Sequence, residues 1–317
     1  MRYTETKEEK TKLNQADVTQ VIGGATGAGQ PEGSAPGGIK PRAKKKSSLV
    51  LNVILVVILL VGIGLLIYPT FSDWWNSQHQ TRAIVNYDST VAEMDDSETE
   101  EMLAAAIAYN EWLYESNHGL GLDDDELEEY ESILDVTGTG IMGYIEIEKI
   151  DVYLPIYHTT SDSVLAVATG HLEGTSLPVG GESTHCVISG HRGLTSARLF
   201  TDLDELELGD TFTIHVLGEV LTYEVDQILI VLPTETSALN IEEGEDYVTL
   251  LTCTPYGINT HRLLVRGHRI ETVEESTVVV TADATQIDST VVAFVLAVVM
   301  IVIALVIMLV KPVRKKR

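Results

Sequence analysis

The sequence predicts a mostly-β domain, a closed or nearly closed barrel with short helices, carried on a membrane. Three observations lead there. Two apolar runs of twenty residues, 49–68 and 291–310, lie near opposite ends of the chain. Each is long enough to cross a hydrocarbon core of about 30 Å as a helix. Between them, from about residue 140 onward, six or more β-rich runs follow one another across Gly, Pro and acidic turns, with only short helical stretches between.

The elements follow in order. Residues 1–47 form a polar leader whose stretch GGATGAGQPEGSAPGG has the composition of a disordered segment. A signal peptide is disfavoured at 48–68, because the leader is far longer than a signal n-region and no small-x-small site follows. Residues 69–140 read as a helical extension: TEEMLAAAIAYNEWLYESN (99–117) has apolar residues at helical spacing, and GLGLDDDELEEYESIL starts as a loop and becomes a short acidic helix. The barrel is expected over 141–275. Its runs include YIEIEKI, VYLPIY, THCVISG, TFTIHVL, EVLTYEVDQILIVLP, YVTLLT and HRLLVRGHRI, with one or two helical turns at SARLFTDLDEL. A linker (276–289), a second span (290–310) and a basic tail (311–317) complete the chain.

Charge sets the orientation. Residues 1–48 carry nine Lys/Arg and residues 311–317 carry five, so both termini are expected to be cytoplasmic and residues 69–290 external. Trp74 and Trp75 suit an interfacial aromatic belt. The outer segment holds 42 Asp/Glu against 7 Lys/Arg, a net charge of −35. Such a surface excludes nucleic acid, which needs basic groups against its phosphates.

Against that background one stretch stands apart. TLLTCTPYGINTHRLLVRGHR (249–269) holds Cys253 at the end of a β-run, and Arg262 opens the next run nine residues on. An antiparallel partner strand after a seven-residue connection brings residue 262 close to residue 253. Alternation sends Arg262, Leu264 and Arg266 to one face and His261, Leu263 and Val265 to the other. A cysteine nucleophile needs a proton-transfer partner and an oxyanion stabiliser. His191, at a Gly-flanked turn after another strand-like run, is the partner of choice, and Arg262 the stabiliser. Five of the seven outer Lys/Arg fall in the two segments holding His191 and Cys253, which predicts a local positive field favouring a thiolate. The competing reading is that these arginines pair with acidic neighbours and that Cys253 is a core residue.

Cys186 lies five residues before His191 along an extended run, about 16 Å. With His191 at Cys253 it is too far away for a disulfide, whose Cα atoms stay within about 7 Å, and it reads as a core residue. A zinc site from His185, Cys186 and His191 is disfavoured, since strand neighbours point to opposite faces.

The stretches around Cys253, around His191 (GHLEGTSLPVGGESTHCVISGHRGLTSARLFTDLDELELGD) and MGYIEIEKIDVYLPIYH together resemble the sortases, specifically the class C, pilin-polymerising type, over about residues 100–270. The resemblance implies an eight-stranded sortase-type barrel and a membrane-anchored cysteine transpeptidase. Cys253 would attack the Thr–Gly bond of an LPxTG-like sorting signal to give a thioacyl enzyme. His191 would act as general acid/base, and Arg262 would stabilise the oxyanion and hold the peptide. A pilin lysine would resolve the acyl enzyme, so the implied partners are pilin subunits and other proteins with such signals. No cofactor or metal is implied. Two alternatives remain: a sortase that attaches single proteins to a peptidoglycan amine, and a non-catalytic surface scaffold. The sequence departs from the family pattern at one place. Many class C sortases cover the cysteine with an Asp-Pro-aromatic lid, yet no proline lies between Pro69 and Pro155, and the loop 117–125 stands there instead. Glu148 and Thr195 also replace usual prolines, at local turns.

Overall fold

A computed structural model describes residues 47–272, 296–298, 300 and 301. The leader, the linker and tail, and all but these few helical positions of the expected second span lie outside the described residues.

The apolar run opens α1 (Ser47–Glu93), the one helix among the described residues long and apolar enough to span a membrane, with a mean hydropathy of 2.7 over its apolar window. The helix runs well past residue 68, through Pro69. Its later half is a structural arm. Gln80, Ile84 and Tyr87, one stripe at i, i+4 and i+7, are buried against the strands. The Tyr87 hydroxyl donates to Met142 O (3.1 Å) and accepts from the Leu217 N–H (2.9 Å), and Gln80 Nε2 donates to Val167 O (2.6 Å).

Helix α2 (Asp96–Glu115) begins three residues before the expected 99, because Asp95 and Glu98 form a reciprocal capping box. Its Ala106, Tyr109, Asn110 and Leu113 form the buried stripe. The acidic helix α3 (Asp124–Ser132) starts on a second capping box, Asp123 with Glu126, and buries Tyr130. A one-turn helix, α4 (Asp162–Leu165), lies between strands.

Eight strands close the expected barrel: β1 (Ile141–Ile147), β2 (Val152–Tyr157), β3 (Thr169–His171), β4 (Thr184–Ser189), β5 (Thr211–Val216), β6 (Glu219–Val231), β7 (Asp246–Thr254) and β8 (His261–Ile270). They are ordered β1-β2-β3-β4-β7-β8-β6-β5, with β5 pairing back to β1. The β2/β3 and β4/β7 pairs are parallel and the rest antiparallel. Alternation fills the interior with Met142, Ile145, Ile188, Phe212, Ile214, Tyr223, Leu250 and Val265, each at most 2% exposed. A smaller outer cluster of Val187, Leu239 and Leu264 shows that β8 presents its other face outward, as alternation predicts.

One buried polar knot joins α3 to the barrel. His171 Nε2 donates to Ser176 O (2.8 Å), which leaves Nδ1 to accept from the Tyr130 hydroxyl (2.9 Å). Tyr130 in turn accepts from the Thr159 N–H (3.2 Å). Burial pushes the His171 imidazole down from 6.5 to about 4. Below pH 6.5 the unfolded chain takes up a proton here that the folded chain refuses until pH nears 4. Stability contributed by this residue therefore falls as pH drops through that window, by up to ~3 kcal/mol. Urea unfolding of residues 69–290 and of its His171→Gln variant checks this: the gap between them should shrink from pH 7 to pH 4.5. A gap that holds or widens contradicts it.

Candidate active site

The site is built at one end of the parallel β4/β7 pair. Ser189 pairs with Leu251 at the end of that ladder, and two further bonds carry the alignment beyond it. Gly190 N–H donates to Leu251 O (3.0 Å), and the buried Thr252 hydroxyl donates to Gly190 O (2.7 Å). The next residue is His191. Gly190 has no substitute here, because a Cβ would come within 2.6 Å of the Phe200 ring. The Phe200 N–H donates to His191 O (3.1 Å), which folds the following loop back under the histidine.

Cys253 sits one residue from the end of β7. Thr252 and Thr254 on either side are buried, whereas Cys253 is half-buried, so its side chain leaves the barrel wall outward. Across the β7/β8 ladder its direct partner is Arg262. The intervening loop turns on Pro255, whose carbonyl accepts from the N–H groups of Ile258 and Asn259 (both 3.0 Å), with Gly257 at φ +71°. One Arg262 guanidinium nitrogen donates to His261 O (3.2 Å) and more weakly to Asn259 O (3.4 Å). An open cleft of about 380 Å³ is walled by His191, Cys253 and Arg262 together. Its remaining walls are largely apolar, with Leu172, Val231, Leu232, Leu251 and Leu264 among them. No hydrogen bond joins the His191 ring to Cys253 among the described residues. A thiol, an imidazole and a guanidinium on one cleft are the groups that acyl transfer through a thioester requires. Catalytic contacts of this kind commonly tighten only once substrate is bound.

The expected field of five arginines is not what forms. Arg192 pairs with Asp204 (2.5 Å), Arg198 with Asp202, and Arg266 with Asp226 (2.8 Å) and Glu242 (3.2 Å). Arg266 also stacks on Tyr247, 3.9 Å from its ring centroid, and Arg269 lies over Tyr223. Among the described residues Arg262 has no carboxylate within ion-pair distance. Of the five, only Arg262 lines the cleft: carboxylates take up Arg192, Arg198 and Arg266, and Arg269 lies over Tyr223 outside the cleft lining.

Cys186 is the core residue expected of it. It pairs with Val248 on the neighbouring strand and is buried, and burial pushes its thiol well above the ordinary range. Sequence reading missed two supports of the site: Thr252, whose cue is a threonine inside an apolar run, and Leu120 of the 117–125 loop, which reaches the cleft wall. Arg192, expected as part of the positive field, instead spans from Asp204 to Thr254 (3.5 Å). The 117–125 loop does close on the barrel. Its residues 119–121 pass so near Gly174 that a Cβ there would lie 2.8 Å from Gly121 N.

The sortase domain family matches residues 145–270 of this chain. Sortase C1 of Streptococcus agalactiae, known from its crystal structure, is 49% identical, with 61% of this chain and 100% of that chain covered and a TM-score of 0.59. The chain belongs to the sortase family. Sortase C of Clostridium perfringens, solved with the C-terminal cell wall sorting motif, is 44% identical over 61% of this chain and 100% of its own, at a TM-score of 0.54. Sortase D of Bacillus subtilis (strain 168) is 30% identical over 131 residues, 40% of this chain, and the match spans 63% of that protein's length. The structural neighbours place this sortase with class C, and the matched region holds His191, Cys253 and Arg262.

Proposed function

We propose that this sortase is a membrane-anchored cysteine transpeptidase that joins pilin subunits. One observation carries the reading: Cys253 and Arg262 are direct cross-strand partners on a cleft that His191 also lines. In the proposed reaction the Cys253 thiol gives its proton to His191 and its sulfur attacks the Thr carbonyl of an LPxTG-like signal. The C–N bond to Gly breaks as His191 delivers a proton to the departing amine, leaving a thioester. Arg262 donates to the oxyanion of the tetrahedral species. A pilin lysine amine then attacks the thioester, the thiol departs, and an isopeptide bond remains. The apolar walls suit the leucine and proline of such a signal. The sorting motif bound by the Clostridium perfringens relative supports the substrate class. Sortase C of Streptococcus pneumoniae, 48% identical and described in terms of pilin substrate specificity, supports pilin as the substrate. The apolar first half of α1 supports anchoring, and the basic ends support cytoplasmic termini with the barrel outside.

Incubating the full chain in detergent with a purified pilin tests the acceptor. Covalent ladders that vanish when the pilin's acceptor lysine is replaced are expected. Transfer to a peptidoglycan amine without ladders would instead make it a wall-anchoring enzyme.

A further inference from the structure

We propose that Asp73 and Asn76, on the helix that leaves the membrane, are positioning residues for the histidine loop. The idea rests on the reading of His191 as the group that moves the proton. The two residues are three apart on α1 and point the same way. The Asp73 carboxylate accepts from the Arg198 N–H (2.7 Å), and Asn76 Nδ2 donates to Ser196 O (2.7 Å). Both partners are backbone groups of the loop between His191 and Phe200, so the contact sets where that loop's main chain lies.

From there the bonding continues to the histidine without a gap. Arg198 O accepts from the Thr201 hydroxyl, and the Thr201 oxygen accepts from the Gly193 N–H (3.3 Å). Phe200 N–H closes on His191 O (3.1 Å). Gly193 stands at φ +81°, and a Cβ there would meet the Tyr256 ring at 3.2 Å, so the loop is seated against the far side of the cysteine turn as well. The opposite side of the same helical turns is a different environment. Phe71, Trp74 and Trp75 are each more than half exposed and touch one another in a cluster. Asp73 is five residues beyond Tyr68, the end of the apolar run, which is about 8 Å along a helix. The anchor therefore does more than hold the enzyme at the membrane: its first exposed turn is a wall on which the catalytic loop is hung.

The test uses the full chain in detergent and a labelled LPxTG-type peptide with a small amine acceptor. Asp73→Ala/Asn76→Ala should lower kcat about tenfold, with KM changed less than about twofold, as expected when support for a reacting group is lost. Alkylation of Cys253 by iodoacetamide should stay within about twofold of the wild-type rate, since β7 is untouched. Asp73→Asn should keep near wild-type kcat, because its amide oxygen still accepts the Arg198 N–H. Asn76→Asp should not, because it has no N–H for Ser196 O. A wild-type kcat in the double variant overturns the proposal. So does a loss that Asp73→Asn shares, or one matched by slower alkylation. Hydrogen exchange at residues 193–201 supplies an arm independent of peptide chemistry. If the wild type transfers no peptide, the acyl-transfer reading fails, and faster exchange in the double variant still supports the positioning role, while unchanged exchange overturns it.

Discussion

Cys253→Ala should leave a folded barrel that forms no covalent adduct with an LPxTG-type peptide. The loss in turnover should be at least ~10³-fold, since the variant has no nucleophile to divide the reaction into two steps. Stability should change by less than about 1 kcal/mol, because the side chain is half-buried and leaves the barrel wall outward. The matched control is Cys186→Ala. That thiol is 3% exposed within the core, so its removal should destabilise by about 1–2 kcal/mol and leave adduct formation intact. Intact-mass detection of the thioacyl enzyme, with thermal melting of each variant, reads both quantities. An adduct on Cys253→Ala, or none on the wild type, would remove the cysteine mechanism altogether.

Arg262→Ala should lower kcat by about 10²–10³-fold, the usual consequence of removing one oxyanion donor. The loss should fall on acylation, measured as single-turnover thioacyl formation, and not on the reactivity of the thiol toward iodoacetamide. Arg262→Lys should recover only a small part, because a lysine carries a point charge without the planar fork that holds its direction beside Cys253. The neighbouring Arg266→Ala makes the contrast. It is four residues along the same strand face, about 13 Å away, and already engaged by Asp226 and Glu242. Its removal should change stability more than turnover. Acylation by Arg262→Ala within about fivefold of wild type would deny that guanidinium its role.

These contrasts show which parts of the molecule could be read in advance. The pairing of Cys253 with Arg262 follows from two β-runs and a seven-residue connection, and pairing over short distances is set by local pattern. The barrel followed from alternation, and its exact closure order did not, because the β4/β7 and β1/β5 pairings join segments distant in sequence. The arginines misled as well. Clustering along the chain put five together, but Arg266 is taken up by Asp226 and Glu242 from other segments, and Arg192 and Arg198 by Asp204 and Asp202 of their own segment, acids that the counting of arginines left out. The second half of α1 fell within the expected helical extension, but its burial against the barrel was not legible, because its buried stripe includes Gln80, a polar residue whose amide is satisfied by Val167 O. The resemblance placed the 117–125 loop where the lid would be, but nothing in that Gly-rich stretch marks Leu120 as the residue that reaches the cleft.

The order of the strands has a consequence for biosynthesis. Cys253 is on β7 and Arg262 on β8, the last strand of the barrel, while the strand leading to His191 pairs with β7 across some sixty residues, as Thr184 with Asp246. Contacts so distant in sequence form slowly, since loop closure must precede any gain from pairing. A nascent chain that has emerged only as far as β6 lacks both the thiol of Cys253 and the strand that aligns it. The cleft that Cys253, Arg262 and His191 share is thus complete only once β8, the final barrel strand, has docked on β7.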